Sequence, residues 1–139
     1  MIVYNSEINF ELFDADLVSD WLSIVIEEEG FRVGDINFIF CSDEYLLQKN
    51  IEFLNHNTLT DIISFDYTMG KLISGDIFIS VERVKENSTY FNVSFNNELC
   101  RVMVHGILHY CGYKDKIEKE KSVMRERENF YLAKLDSQI

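Results

Sequence analysis

The spacing of apolar residues changes period repeatedly along this chain, and each change marks an element. Ile2 to Phe10 alternates loosely and predicts a first strand. Asp14 or Asp16 offers a cap for a helix running to about Glu29. Its apolar positions Leu17, Trp21, Leu22, Ile24 and Val25 recur at steps of three and four, and Gly30 stops it. The acids Asp14, Asp16, Asp20 and Glu27 to Glu29 read as its solvated face. Ile36 to Cys41 is a continuous apolar run and predicts a buried strand. Ser42 then caps a helix over Asp43 to Leu54, with Tyr45, Leu46, Ile51 and Leu54 on its core side. A polar loop, NHNTLT, separates this helix from the strand Asp61 to Tyr67. A turn at Met69-Gly70-Lys71 leads to a strand over Ile77 to Val81. Three helices follow: Glu82 to about Tyr90, one started by Asn92 or Ser94, and Ile117 to Leu135. The last has Val123, Met124, Phe130, Tyr131 and Leu135 inside, with mixed charges from Lys119 to Glu128 outside. The order β-α-β-α-β-β-α-α-α predicts an α/β fold. It is expected to be a single compact domain over 1–139, a small mixed sheet of about four strands packed with about five helices.

One helix departs from simple amphipathicity. In ELCRVMVHGILHYC only Glu98, Arg101, His105 and His109 are strongly polar, at steps of three, four and four. At 3.6 residues per turn those steps hold all four on one stripe. The rest of the helix is nearly all apolar, so it belongs in a core, where polar groups need partners. Two imidazoles at i and i+4 can both reach one cation. Gly112 can end the helix in a left-handed cap and return Asp115 toward the same point. The signature is therefore His105-x3-His109-x5-Asp115 on a central helix. Three protein ligands leave a fourth position for water, the mark of a catalytic metal site.

Composition narrows the setting. The chain has 139 residues, 47% of them hydrophobic, with 11 Phe and 7 Tyr, which favours a packed core over disorder. No apolar run is long enough to cross a bilayer, and the N-terminus shows no secretory pattern. Cys41, Cys100 and Cys111 show no CxxC pairing, which fits reduced thiols in a cytoplasm. A formal net charge of −11 argues against broad, nonspecific attraction to nucleic acid. It leaves room for a local basic groove or a positive metal centre inside an acidic shell.

Three segments together resemble one family. His105-Gly106-Ile107-Leu108-His109-Tyr110-Cys111-Gly112-Tyr113 is similar to the HGxLHLxGY motif of the YbeY family of rRNA-processing metallo-endoribonucleases. Thr60 to Phe65 resembles its TDVLSF strand, and Gly75-Asp76-Ile77 its GDI strand. The family usually follows the Tyr with Asp-His, whereas this chain reads Lys114-Asp115, so Asp115 stands where a third histidine is usual. Leu54 aligns where the family commonly has an arginine.

The resemblance implies a zinc-dependent, single-strand-specific endoribonuclease. It would act in 16S rRNA 3′-end maturation and ribosome quality control in the cytoplasm, with one Zn²⁺ per chain on His105, His109 and Asp115. RNA would be the substrate, and a ribosomal subunit or ribosomal proteins the partners. Arg101 could hold a phosphate, although a pair with Glu98 is the favoured reading. His56 could donate a proton or touch a phosphate, although a surface loop histidine is the simpler reading. Asp61 and Asp76, at strand starts, could orient a ligand histidine or cap turns. Two alternatives stay open: a metallopeptidase of metzincin-like outline, and a non-catalytic ribosome-assembly factor with a structural metal. The first lacks its base, because Gly106 stands beside His105 where a glutamate is needed.

Overall fold

The computed structural model describes residues 1–55 and 60–136. Among these, the chain forms β1 (Ile2–Ser6), α1 (Ala15–Glu28), β2 (Arg32–Cys41), α2 (Asp43–Leu54) and β3 (Ile62–Asp66). It continues with β4 (Leu72–Ser80), α3 (Val81–Tyr90), α4 (Phe95–Tyr110) and α5 (Glu118–Asp136). This is the α/β architecture read from the sequence, a four-stranded mixed sheet with five helices. Side-chain caps start the helices where short polar residues precede apolar stripes. Asp14 Oδ1 accepts from Leu17 N at 3.1 Å, Ser42 Oγ from Tyr45 N at 3.1 Å, and Ser94 Oγ from Asn97 N at 3.0 Å.

The sheet order is β1-β2-β4-β3, with β1, β2 and β4 parallel and β3 antiparallel at one edge. Alternation along the central strands divides the core between the two faces. Ile36, Phe38 and Phe40 of β2 and Ile73, Ile77 and Ile79 of β4 join the main core with α1, α4 and α5. Phe78 packs with Tyr45, Leu46 and Ile63 on the α2 side. α4 lies in the middle of the main core, against α1, α3, α5, β3 and β4. Gly106 lets it lie close on the sheet: a Cβ there would meet Ile62 Cδ1 at 3.0 Å and Ile77 Cδ1 at 3.2 Å. At the end of α4 the Tyr110 hydroxyl donates to the carbonyls of Phe65 at 2.9 Å and Asp76 at 3.1 Å, pinning the helix to β3 and β4.

Several expected positions shift. β1 stops at Ser6 rather than Phe10, because its register ends with Ser6 opposite Phe40 near the end of β2. β2 starts earlier than expected, at Arg32, and absorbs a register irregularity between Val33 and Ile36. Ile24, Ile51 and Leu54, expected inside, are exposed, as are Val123 and Phe130. The buried side of α2 is Leu46 and Asn50. α5 turns inward along Met124, Glu128, Tyr131, Leu132 and Leu135. Phe130 instead lies beneath two cations, Arg127 at 4.6 Å and Lys134 at 4.8 Å from its ring centre.

Candidate metal centre

One helical turn along α4 sets the His105 ring edge-on to that of His109, and a partner fixes each ring at its Nδ1. His109 Nδ1 lies 3.0 Å from the Tyr113 carbonyl, which can only accept, so this nitrogen carries the proton. His105 Nδ1 donates to Glu128 Oε2 at 2.6 Å. Each Nε2 is then left with a lone pair. The two Nε2 atoms are 3.0 Å apart, and Asp115 Oδ2 is 3.1 Å from one and 3.2 Å from the other. In that tautomer three acceptor atoms converge, which is a set that attracts a cation. In a tetrahedron with bonds of about 2.0–2.1 Å the corners are about 3.3 Å apart, so these atoms fit three of its corners. His105, His109 and Asp115 form the cluster among the described residues that could hold a metal ion. Where no cation competes, the surroundings favour a proton. Burial works against charge on His105, but Glu128, Asp115 and Asp61 outweigh it and raise its pKa above the ordinary value.

Asp115 reaches this point through the end of α4. Gly112 takes φ +102°, its N–H donates to the His109 carbonyl at 3.0 Å, and the Tyr113 N–H donates to the Leu108 carbonyl at 3.1 Å. This is the Schellman pattern, and it reverses the chain. The Tyr113 hydroxyl then donates to Glu29 Oε1 at 2.7 Å. Glu29 Oε2 also accepts from Arg127 Nη2 at 2.9 Å and from the Tyr131 hydroxyl. Glu29, expected on a solvated face, is instead mostly buried at the junction of α1, α5 and the loop that carries Tyr113 and Asp115. Burial raises its carboxyl pKa, but the bonds from Tyr131, Tyr113 and Arg127 win and hold it below the ordinary value.

A cavity of about 350 Å³ opens beside His105 and Asp115. Asp61 and Glu98 line it, and burial pushes both carboxyl groups above their usual range. Arg101, Lys121 and Arg125 supply positive charge to the same lining.

The residues singled out in the sequence divide. His105, His109 and Asp115 come together. Arg101 is in an ion pair, but not with Glu98: its Nη1 donates to Glu128 Oε1 at 3.0 Å and its Nη2 to Asn129 Oδ1 at 2.8 Å. α5 packs against α4 at this stripe and offers a better-placed acceptor than the buried Glu98. The carboxylate that orients His105 is Glu128 rather than Asp61 or Asp76. Asp61 acts on His105 only through its charge, within the shared cavity. Leu54 ends α2 exposed and carries no charge toward the site. His56 lies outside the described residues. Glu128, expected among exposed charges, is 4% exposed. A signal for it was present, since it falls between Met124 and Tyr131 at steps of four and three, inside the apolar stripe of α5.

Comparison with known proteins gives a consistent picture. A family model described as "Endoribonuclease YbeY" matches residues 4–136. The Endoribonuclease YbeY of Flavobacterium johnsoniae is 58% identical over 133 residues, covering 96% of each chain. That of Flavobacterium psychrophilum is 54% identical over 129 residues, covering 93% of this chain and 92% of its own. A solution structure of a Thermotoga maritima protein superposes with a TM-score of 0.71 at 27% identity, covering 99% of this chain and 91% of that one.

Proposed function

Because the chain belongs to the endoribonuclease YbeY family and its substrate is therefore RNA, we propose that it cuts single-stranded rRNA with one Zn²⁺ held by His105 Nε2, His109 Nε2 and Asp115 Oδ2. The observation that carries this reading is the convergence of two imidazole nitrogens and one carboxylate oxygen within 3.2 Å of one another. Its biological setting is 16S rRNA 3′-end maturation and ribosome quality control in the cytoplasm, with a ribosomal subunit or its proteins as partners.

A divalent cation held by His105, His109 and Asp115 would supply Lewis-acid polarisation of a phosphoryl oxygen and acidification of water. The protein's own residues prepare that chemistry. Glu128 and the Tyr113 carbonyl hold both rings in the tautomer that presents Nε2 inward. The Arg101 guanidinium neutralises the other oxygen of Glu128, so the carboxylate stays charged and keeps its bond to His105. Burial works to raise the Glu128 pKa, yet these partners lower it. Asp61, which shares the cavity with His105 and acts on it through its charge, has a carboxyl pKa raised by burial and is the group suited to carry a proton to or from the reacting phosphodiester. Either the attack of water or that of the 2′-hydroxyl is compatible with this arrangement.

The peptidase alternative meets a steric obstacle as well as a chemical one. Position 106 packs on Ile62 and Ile77, so a glutamate there would drive into the sheet. The test of the nuclease reading is elemental analysis combined with an RNA cleavage assay on the parent, His109→Ala and Asp115→Ala. The parent should hold about one ion per chain and cut single-stranded RNA, and both variants should lose cleavage while staying folded. A metal-free parent purified without chelator, or a fully active Asp115→Ala, would overturn the site.

A further inference from the structure

The lining of the 350 Å³ cavity contains cations of two kinds. Arg101 is committed: its side chain is 18% exposed and makes short bonds to Glu128 and Asn129. Lys121 and Arg125 are not. Their side chains are 57% and 56% exposed. The nearest acid to Lys121 is Glu118 at 3.9 Å, and Arg125 is 3.6 Å from a Glu128 oxygen that Arg101 already occupies at 3.0 Å. Arg125 also feels the charge of Glu98 at longer range. Pairs of this length at the surface hold a side chain weakly. The two residues are four apart on α5, so they stand on one face about 6 Å apart along its axis. They line the same cavity as His105 and Asp115. A protein of net charge −11 gains nothing from its overall field when it meets a polyanion, so local cations must hold the strand.

We propose that Lys121 and Arg125 are RNA-binding residues that grip neighbouring backbone phosphates on the α5 wall of the cleft and deliver the strand to the metal centre. The proposal rests on the nuclease reading above and names how that site takes its substrate. Lys121 offers a mobile point charge, and Arg125 a planar fork that can bind phosphate through two N–H groups. Both can leave their weak acidic partners without unsettling the His105–Glu128 bond, because Arg101 remains on Glu128.

The experiment measures cleavage and binding of a single-stranded oligoribonucleotide by the zinc-loaded parent and by Lys121→Gln/Arg125→Gln over a range of salt. An Arg32→Gln/Lys85→Gln variant removes two exposed positive charges outside that lining and serves as the charge-matched control. Each phosphate contact to a single strand contributes about 0.7 to the slope of log affinity against log salt, so the double variant should lose about 1.4 from it. KM should rise about tenfold, with kcat and metal content near those of the parent, and the control should match the parent throughout. A parent that neither binds nor cuts RNA overturns the nuclease reading and this one with it. An active parent beside a double variant of unchanged slope and KM overturns the grip alone. So does an equal loss of slope in the control, or a fall in kcat and metal content without a change in slope.

Discussion

At Glu128 one carboxylate serves three groups. Oε2 accepts from His105 at 2.6 Å, Oε1 accepts from Arg101 at 3.0 Å, and Arg125 stands 3.6 Å away. The side chain is buried, so its charge survives because His105 and Arg101 are bonded to it. Its negative charge makes the His105 ring a stronger donor toward a cation and fixes which nitrogen faces inward. Glu128→Gln keeps the shape and an acceptor oxygen but removes the charge. Metal affinity of that variant, measured by competition with a chromophoric chelator, should fall roughly 10- to 100-fold. An affinity equal to the parent's would remove Glu128 from the centre. A second residue sets the position of Asp115. Gly112 at φ +102° has open space where a Cβ would go, so Gly112→Ala suffers backbone strain alone. That change should cost about 1–2 kcal/mol in denaturant unfolding and weaken metal binding with it.

Between elements, the junction of α1, α5 and the loop that carries Tyr113 and Asp115 is held by a group that the helix pattern assigns to solvent. Glu29 follows α1 directly and accepts from Tyr113 at 2.7 Å, Arg127 at 2.9 Å and Tyr131. Its pKa in the folded protein lies below the ordinary 4.5. A lowered carboxyl pKa stabilises the fold at pH above the unfolded value, and that contribution disappears as pH falls through the folded one. Glu29→Gln should therefore lose about 1.5–3 kcal/mol at pH 7, the scale of hydrogen bonds to a charged group, with the gap to the parent closing below pH 4.5. A gap equally wide in acid would show that shape rather than charge holds the junction. The same junction shows where sequence reading stops. The order of elements, the caps and the pairing of His105 with His109 are local facts, carried by period and by short polar residues. The arrival of Asp115 is nearly local, since Gly112 and a Schellman turn return it within six residues of His109. Glu29 and Glu128 are not local. Each looks like one acid among many on a charged helix, and its burial depends on what α1, α4 and α5 bring to it from 84 residues away in one case and 23 in the other. Arg101 follows the same logic, because its choice of Glu128 over Glu98 is made by the packing of α5.

For the whole molecule, the question is whether a metal holds the fold or only works on it. The main core joins both inner sheet strands to α1, α4 and α5 through fully buried apolar residues such as Trp21, Phe38, Ile77, Leu99, Ile107 and Tyr131. None of these contacts passes through His105, His109 or Asp115, whose side chains are 22%, 31% and 37% exposed at the rim of α4. The loop that carries Asp115 has its own supports in Tyr113, Glu29 and the Schellman bonds. A bound ion therefore adds stability through mass action, about 4 kcal/mol at a concentration one thousand times its Kd, without being needed for folding. For a chain of this size that corresponds to a fall in Tm of roughly 10–15 °C on chelation. The chelated protein should keep its far-UV circular dichroism at 25 °C and melt in one cooperative transition, yet cut no RNA. One equivalent of zinc should restore both Tm and cleavage. Unfolding at 25 °C on chelation would make the metal a staple and favour the assembly-factor alternative. A core this large closes without His105, His109 and Asp115, so chelation should leave the fold standing.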